Sequence, residues 1–239
     1  MSLVDAVRAV GLLPPNTASR ERRSRYCASL AGSLALEIAE GLRSAGFPNV
    51  RPARARPGEA KSYSGPGRNI ADVSSTDEQY GPLLAVSIKV IAFPPFGKNL
   101  KNCCEELRAA ANALHLRFPF SVVCGIVAFL AASSPVDIKE GRCWVLLQRA
   151  SRLFEEINGR RSHRDPGERL EDITMMLFQP PMPEGIPTWI KLLDVKTQGE
   201  LSEAEYCWNL RGIHNHRNPG AAIGPAPDQI QPSFTSVCA

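Results

Sequence analysis

The chain has 239 residues, 44% hydrophobic and 22% charged, an ordinary globular balance. At roughly 150 residues per domain that is enough for one large domain with a full core, and two are not required. The formal net charge of +4 permits a polyanionic partner without demanding one.

Seven cysteines, an odd number with no CxxC pair, argue against a zinc site or a disulfide framework and for the reduced cytoplasm. No basic segment leading into an apolar run opens the chain. The most apolar stretch, 118–132, is shorter than the ~20 residues of a spanning helix. No membrane association is expected, and a cytoplasmic protein is.

In chain order, a short leader ends at Pro14-Pro15, with Thr17 and Ser19 as candidate helix caps. Tyr26, Leu30, Leu34, Ile38 and Leu42 then recur every four residues, predicting a long amphipathic helix that stops near Gly46 and Pro48. Glu37 falls at the flank of its apolar face, whereas Glu40 points further towards solvent. Residues 51–68, rich in Arg, Pro and Gly, read as a loop. A short strand is predicted at 69–74, a turn through Asp77 to Pro82, and a stronger strand at 83–91. In the latter Leu84, Val86, Ile88 and Val90 share one face, and Ala85, Ser87 and Lys89 share the other. A second helix spans about 99–116. Its buried face is Cys103, Leu107, Ala110, Ala111 and Leu114, with Glu106 at the edge and Glu105 nearly opposite. The apolar run 121–130 predicts a central strand covered on both faces. A helix at 145–158, a polar loop at 159–168, strands at 173–178 and 190–195, and a helix at 200–211 follow. The residues after 217 read as a disordered tail. This order suggests a single domain over 1–217, an α/β core with a mixed central sheet flanked by helices.

The chemically informative pair is Asp72 and Lys89, seventeen residues apart, on adjacent predicted strands. A carboxylate so placed holds a hard divalent cation, and a lysine beside it stabilises charge on a phosphoryl group. By spacing alone, two charges at a strand edge read more readily as structural.

The segments DVSS (72–75), YGPLLAVSIK (80–89), KNLKN (98–102), EELRAAANALHLRFPFSVV (105–123) and HNHRNP (214–219) together resemble a bacterial family of restriction-endonuclease-like proteins of the PD-(D/E)xK superfamily. The likeness runs over about 25–218 and is strongest at 70–125. It implies a restriction-endonuclease-like core and an Mg²⁺-dependent nuclease acting on double-stranded DNA, of the type II restriction or a related defence kind. It implies Asp72 as the metal-binding aspartate, Lys89 as the lysine of acid-x-lysine, and Glu37 as the glutamate of the first helix. The acid of acid-x-lysine is here Ser87. In Ser-x-Lys members a glutamate from the following helix fills the vacated space, which points to Glu106 as catalytic and as a second metal ligand with Asp72. Relatives tend to carry a glutamate where this chain has Ala110, and were that the replacement acid this copy would be weakened or inactive. That leaves a second reading open, a nuclease-fold DNA-binding module with weakened catalysis. Cutting both strands of a symmetric duplex would favour a homodimer.

Other candidates read as structural. Glu37 also suits a pair with Arg25 or Arg43. His115 to Pro119 reads as a helix terminator, His214 and His216 as a surface segment rather than a metal pair, and Cys103-Cys104 as helix packing. The basic runs RERRSR (20–25), RPARAR (51–56) and GRRSHR (159–164) suit phosphate contacts, each adding salt-dependent affinity that is blind to base sequence.

Overall fold

Two sequence features set the centre of the sheet. The computed structural model describes residues 1–52, 71–131, 142–183 and 185–224, without the side chains of 142–145. Val122–Leu130 (β3) is buried at every position, as a strand covered on both faces must be. Gly81–Ile91 (β2) runs parallel to it, with Leu84 opposite Val122 and Ile91 opposite Phe129. Val73–Asp77 (β1) folds back on β2 as an antiparallel hairpin. On the other side Asp172–Gln179 (β4) is parallel to β3. Trp189–Asp194 (β5) and Glu200–Leu201 (β6) then continue antiparallel. The six strands lie in the order β1-β2-β3-β4-β5-β6, a mixed sheet flanked by helices.

Alternation on β2 divides the core as the pattern predicts. Leu84, Val86 and Ile88 face one cluster, formed with Leu3–Val10 (α1), Arg20–Ser44 (α2) and Glu203–Arg217 (α5). Ala85, Val123 and Val127 face the other, formed with Phe96–Arg117 (α3) and Arg142–Ile157 (α4). On α2 the residues Leu30, Leu34, Ile38 and Leu42 are all 0% exposed. Burying each such side chain is worth about 1.5–3 kcal/mol relative to leaving it in water. Ser19 caps α2 by accepting the Arg22 N–H.

Several boundaries differ from the sequence expectation. The expected leader contains α1, whose Leu3, Ala6 and Val7 are buried against α2. Ser2 caps it and Gly11 ends it at a positive φ. The helix expected from 200 starts at Glu203, because Glu200 and Leu201 pair with β5 and Ser202 and Glu205 form a capping box. It then runs six residues beyond Arg211, to Arg217. The strand expected at 69–74 begins at Val73, and its first two positions lie outside the described residues. From Asn218 to Gly224 the chain is still tied to the body: Asn218 donates to the Phe120 carbonyl, and Ile223 exchanges hydrogen bonds with Asn215. The rest of the expected tail, and the loop from residue 53, lie outside the described residues.

No helix among the described residues is long and apolar enough to cross a membrane. The cysteines described (Cys27, Cys103, Cys104, Cys124 and Cys207) are free thiols, and burial pushes all five upwards in pKa.

Candidate active site

The site starts where β1 leaves β2. The last ladder pair is Val73 with Val86, and the Asp72 N–H still donates to the Val86 carbonyl at 3.0 Å. Beyond that point the Ile88 N–H has no β1 carbonyl to meet. The Asp72 carboxylate takes over instead, with Oδ2 accepting that N–H at 2.6 Å. Such a bond satisfies a donor that burial would otherwise leave costly. It also fixes the carboxylate against the strand and leaves Oδ1 with no partner among the described residues. Burial raises the Asp72 pKa, while the Ile88 N–H and the nearby Lys89 ammonium pull it back.

Lys89 stands on the face of β2 that α3 covers, beside Ser87, which is 5% exposed. Its ammonium donates to Glu106 Oε2 at 2.5 Å, the two side chains being 32% and 62% exposed. A pair this open contributes less than about 1 kcal/mol, so either partner is released at small cost to meet a ligand. Glu106 is held there by its neighbour in sequence. Leu107 is 0% exposed and seats on Gly125 of β3, where a Cβ would lie only 3.3 Å from its Cδ2. Gly125 is the register partner of Ser87, so the absent side chain lets α3 settle low over the two central strands. The choice of Glu106 over Glu105 by helical angle matches this arrangement: Glu105 turns outward towards Arg108 at 3.8 Å.

Asp72, Lys89 and Glu106 are thus brought together, with Lys89 the common neighbour of both acids. Glu37 is not with them. It belongs to the α1/α2 side of the sheet, where its Oε2 accepts the Ser2 N–H at 2.8 Å while Glu203 accepts the Leu3 N–H at 2.9 Å. The two carboxylates complete the N-terminus of α1, where negative charge is favourable. The alternative partners proposed for Glu37 are also taken: Arg25 pairs with Glu21 and Arg43 with Glu40. The half-buried Ala110 lies one turn beyond Glu106 on α3 and adds no charge.

Among the described residues no three His, Cys, Asp or Glu side chains gather as a metal-holding group. Among the described residues, the carboxylates beside Lys89 are those of Asp72 and Glu106. Hard oxygen donors in that number fit Mg²⁺, which keeps most of its waters and often takes one or two protein carboxylates.

The remaining polar candidates have structural roles. His115 is buried, with Nδ1 at 2.7 Å from the Gly167 carbonyl. Its Nε2 lies 3.3 Å from Glu171 in an orientation that makes an ion-pair distance but no hydrogen bond. Glu171 also binds Arg160, Arg217 and the Val123 N–H, so the run at 159–164 spends one arginine on the interior. His214 is fully buried against Phe47, at 5.7 Å between ring centroids, and not on the surface as expected. His216 is exposed. RERRSR forms the first turns of α2, and RPARAR lies outside the described residues from Ala53 on.

Sequence reading missed Lys98 and Asn102. They precede Glu106 by eight and four residues on α3, so they continue its ridge. They line a cleft of about 500 Å³ with Arg20, Arg23 and Ser24 of α2 and the Phe93–Pro95 turn. Counting back from Glu106 at helical spacing would have found them. Comparison of the chain with protein-family models, with curated proteins and with solved structures gave no match.

Proposed function

We propose that this chain is an Mg²⁺-dependent endonuclease that hydrolyses DNA phosphodiester bonds, of the type II restriction or a related defence kind. The observation that carries the reading is the meeting of Asp72, Lys89 and Glu106, from three separate elements, on one side of the sheet where β1 parts from β2.

Asp72 and Glu106 would hold the cation. When bound, Mg²⁺ polarises a phosphoryl oxygen and makes its bound water more acidic. Asp72 enters with one oxygen already fixed by the Ile88 N–H, so little reorientation of the carboxylate is needed. Lys89 supplies a compact ammonium for the negative charge that grows on the phosphoryl oxygens as the bond to the leaving group breaks. Its release from Glu106 frees that acid at the same moment. Ser87 carries no charge and is buried, so it would add no ligand charge to the site.

In a supercoiled plasmid assay with Mg²⁺, the wild-type chain is expected to nick or linearise the DNA, and chelation to stop it. Asp72→Ala and Lys89→Ala should each lower the rate by roughly 10²–10³-fold, the range for losing one electrostatic group from a transition state. Equal activity in all three proteins would defeat the reading. Ser87 and Ala110, uncharged positions beside the two acids, favour one rival: a nuclease-fold module that binds duplex DNA without cutting it. That rival predicts wild-type binding, no cleavage in Mg²⁺, and no effect of Asp72→Ala.

A further inference from the structure

We propose that the cleft between the start of α2 and the start of α3 is the track for the phosphate backbone of a DNA strand leading to the Asp72–Lys89–Glu106 site. The inference rests on the nuclease reading for its direction and on the cleft itself for its chemistry. Arg20 and Arg23 rise from α2 and Lys98 from α3; Ser24, Asn99 and Asn102 supply neutral polar groups, and no acidic side chain lines the cleft. The Arg23 guanidinium lies over the Phe93 ring, 5.7 Å from its centroid, and its buried Nε has no hydrogen-bond partner among the described residues. The wall is therefore cationic and hydrogen-bonding, which suits a polyanion and not an apolar peptide.

Geometry gives the track its heading. Lys98, Asn102 and Glu106 stand at successive intervals of four along α3, one ridge of the helix. Eight residues of helix rise roughly 12 Å, and one strand of B-DNA advances about 3.4 Å per nucleotide. A strand lying on this ridge would meet about three nucleotides between Lys98 and the Lys89–Glu106 pair. The run RERRSR thereby gains a role by position, as the opposite bank.

The test is equilibrium binding of a fluorescein-labelled 20-base-pair duplex to the full chain in EDTA, across a series of salt concentrations. The groove variant is Arg20→Gln/Arg23→Gln/Lys98→Gln, which keeps the aliphatic stems. The control is Arg117→Gln/Arg169→Gln/Lys196→Gln, which removes the same charge from exposed positions outside the three basic runs. Three lost phosphate contacts should lower the slope of log K against log salt by about 2–3 and weaken binding on the order of 10²-fold at 0.1 M salt. The control should keep nearly the wild-type slope. Equal losses in both variants, or none in the groove variant, overturn the track. Groove-dependent binding without cleavage in Mg²⁺ upholds the track and overturns the nuclease reading. Cleavage that needs Asp72, with a slope the groove variant leaves unmoved, does the reverse. No binding by the wild-type chain overturns both.

Discussion

At the scale of single residues, Asp72 would carry the opposing demands of folding and of the proposed chemistry. Burial holds its folded-state pKa above the ordinary aspartate value, so the ionised form that a cation requires is also the form the fold disfavours. The sign follows from linkage. An acid whose pKa is raised on folding costs stability above that raised value, and the cost vanishes as pH falls to the unfolded aspartate range near about 4. Asp72→Asn keeps an oxygen for the Ile88 N–H. It should therefore be at least as stable as wild type in urea denaturation at pH 7.5, with the gap closing at pH 4, while cleavage falls by at least about 10²-fold. A variant clearly less stable at pH 7.5 would mean that the charge serves the fold. Glu37 makes the opposite prediction. Because it caps α1 through the Ser2 N–H, Glu37→Ala should lower stability by about 1 kcal/mol and leave the single-turnover cleavage rate unchanged; a selective loss of rate would return Glu37 to the site.

At the scale of elements, α3 and the two strands beneath it determine whether the site exists. Gly125 leaves room for Leu107, and Leu107 sets the height of Glu106 above Lys89. Gly125→Ala would push a methyl to 3.3 Å from Leu107 Cδ2, an overpacking that costs about 1–3 kcal/mol in a dense core. Cleavage should fall more than stability alone explains, read as rate per folded molecule. A full rate in the folded fraction would show that helix height is immaterial. Much of this element-level arrangement was legible in the sequence. The two-residue alternation of 83–91 assigned both faces of β2 correctly, the continuous apolar run located β3, and the helical angle separated Glu106 from Glu105. The rest depended on contacts distant in sequence. α1 has eight residues, too short for a periodic signal, and without it the partner of Glu37 was invisible. The strand β6 is two residues long and exists only because β5 offers an edge. His214 is buried against Phe47, which lies just beyond the turn after α2, far away in sequence.

At the scale of the whole molecule, one buried carboxylate joins segments far apart in the chain. Glu171, with a side chain 0% exposed, binds Arg160 from the loop before it, Arg217 from the end of α5, and the N–H of Val123 at the mouth of β3. His115, from the end of α3, lies against it. Both guanidiniums also reach the Pro119 carbonyl. Removing one partner of a buried pair leaves uncompensated charge and costs about 3–5 kcal/mol. Glu171→Ala should lose that much in urea denaturation. A loss below about 1 kcal/mol would mean that water replaces the carboxylate and that these segments hold together without it. Glu171 contacts the first paired residues of β3, whereas Lys89 lies near the opposite, C-terminal end of the parallel β2. The network thus braces the end of the sheet remote from the proposed site. The proposed cleavage depends on the three side chains at the other end. Its most direct test is the single-turnover rate of duplex DNA cleavage in Mg²⁺ by the wild-type chain beside Asp72→Asn, Lys89→Met and Glu106→Gln, each verified as folded. Wild-type cleavage slowed at least about 10²-fold by every one of the three is the predicted result. Cleavage unaffected by all three, or none by the wild-type chain, would contradict it.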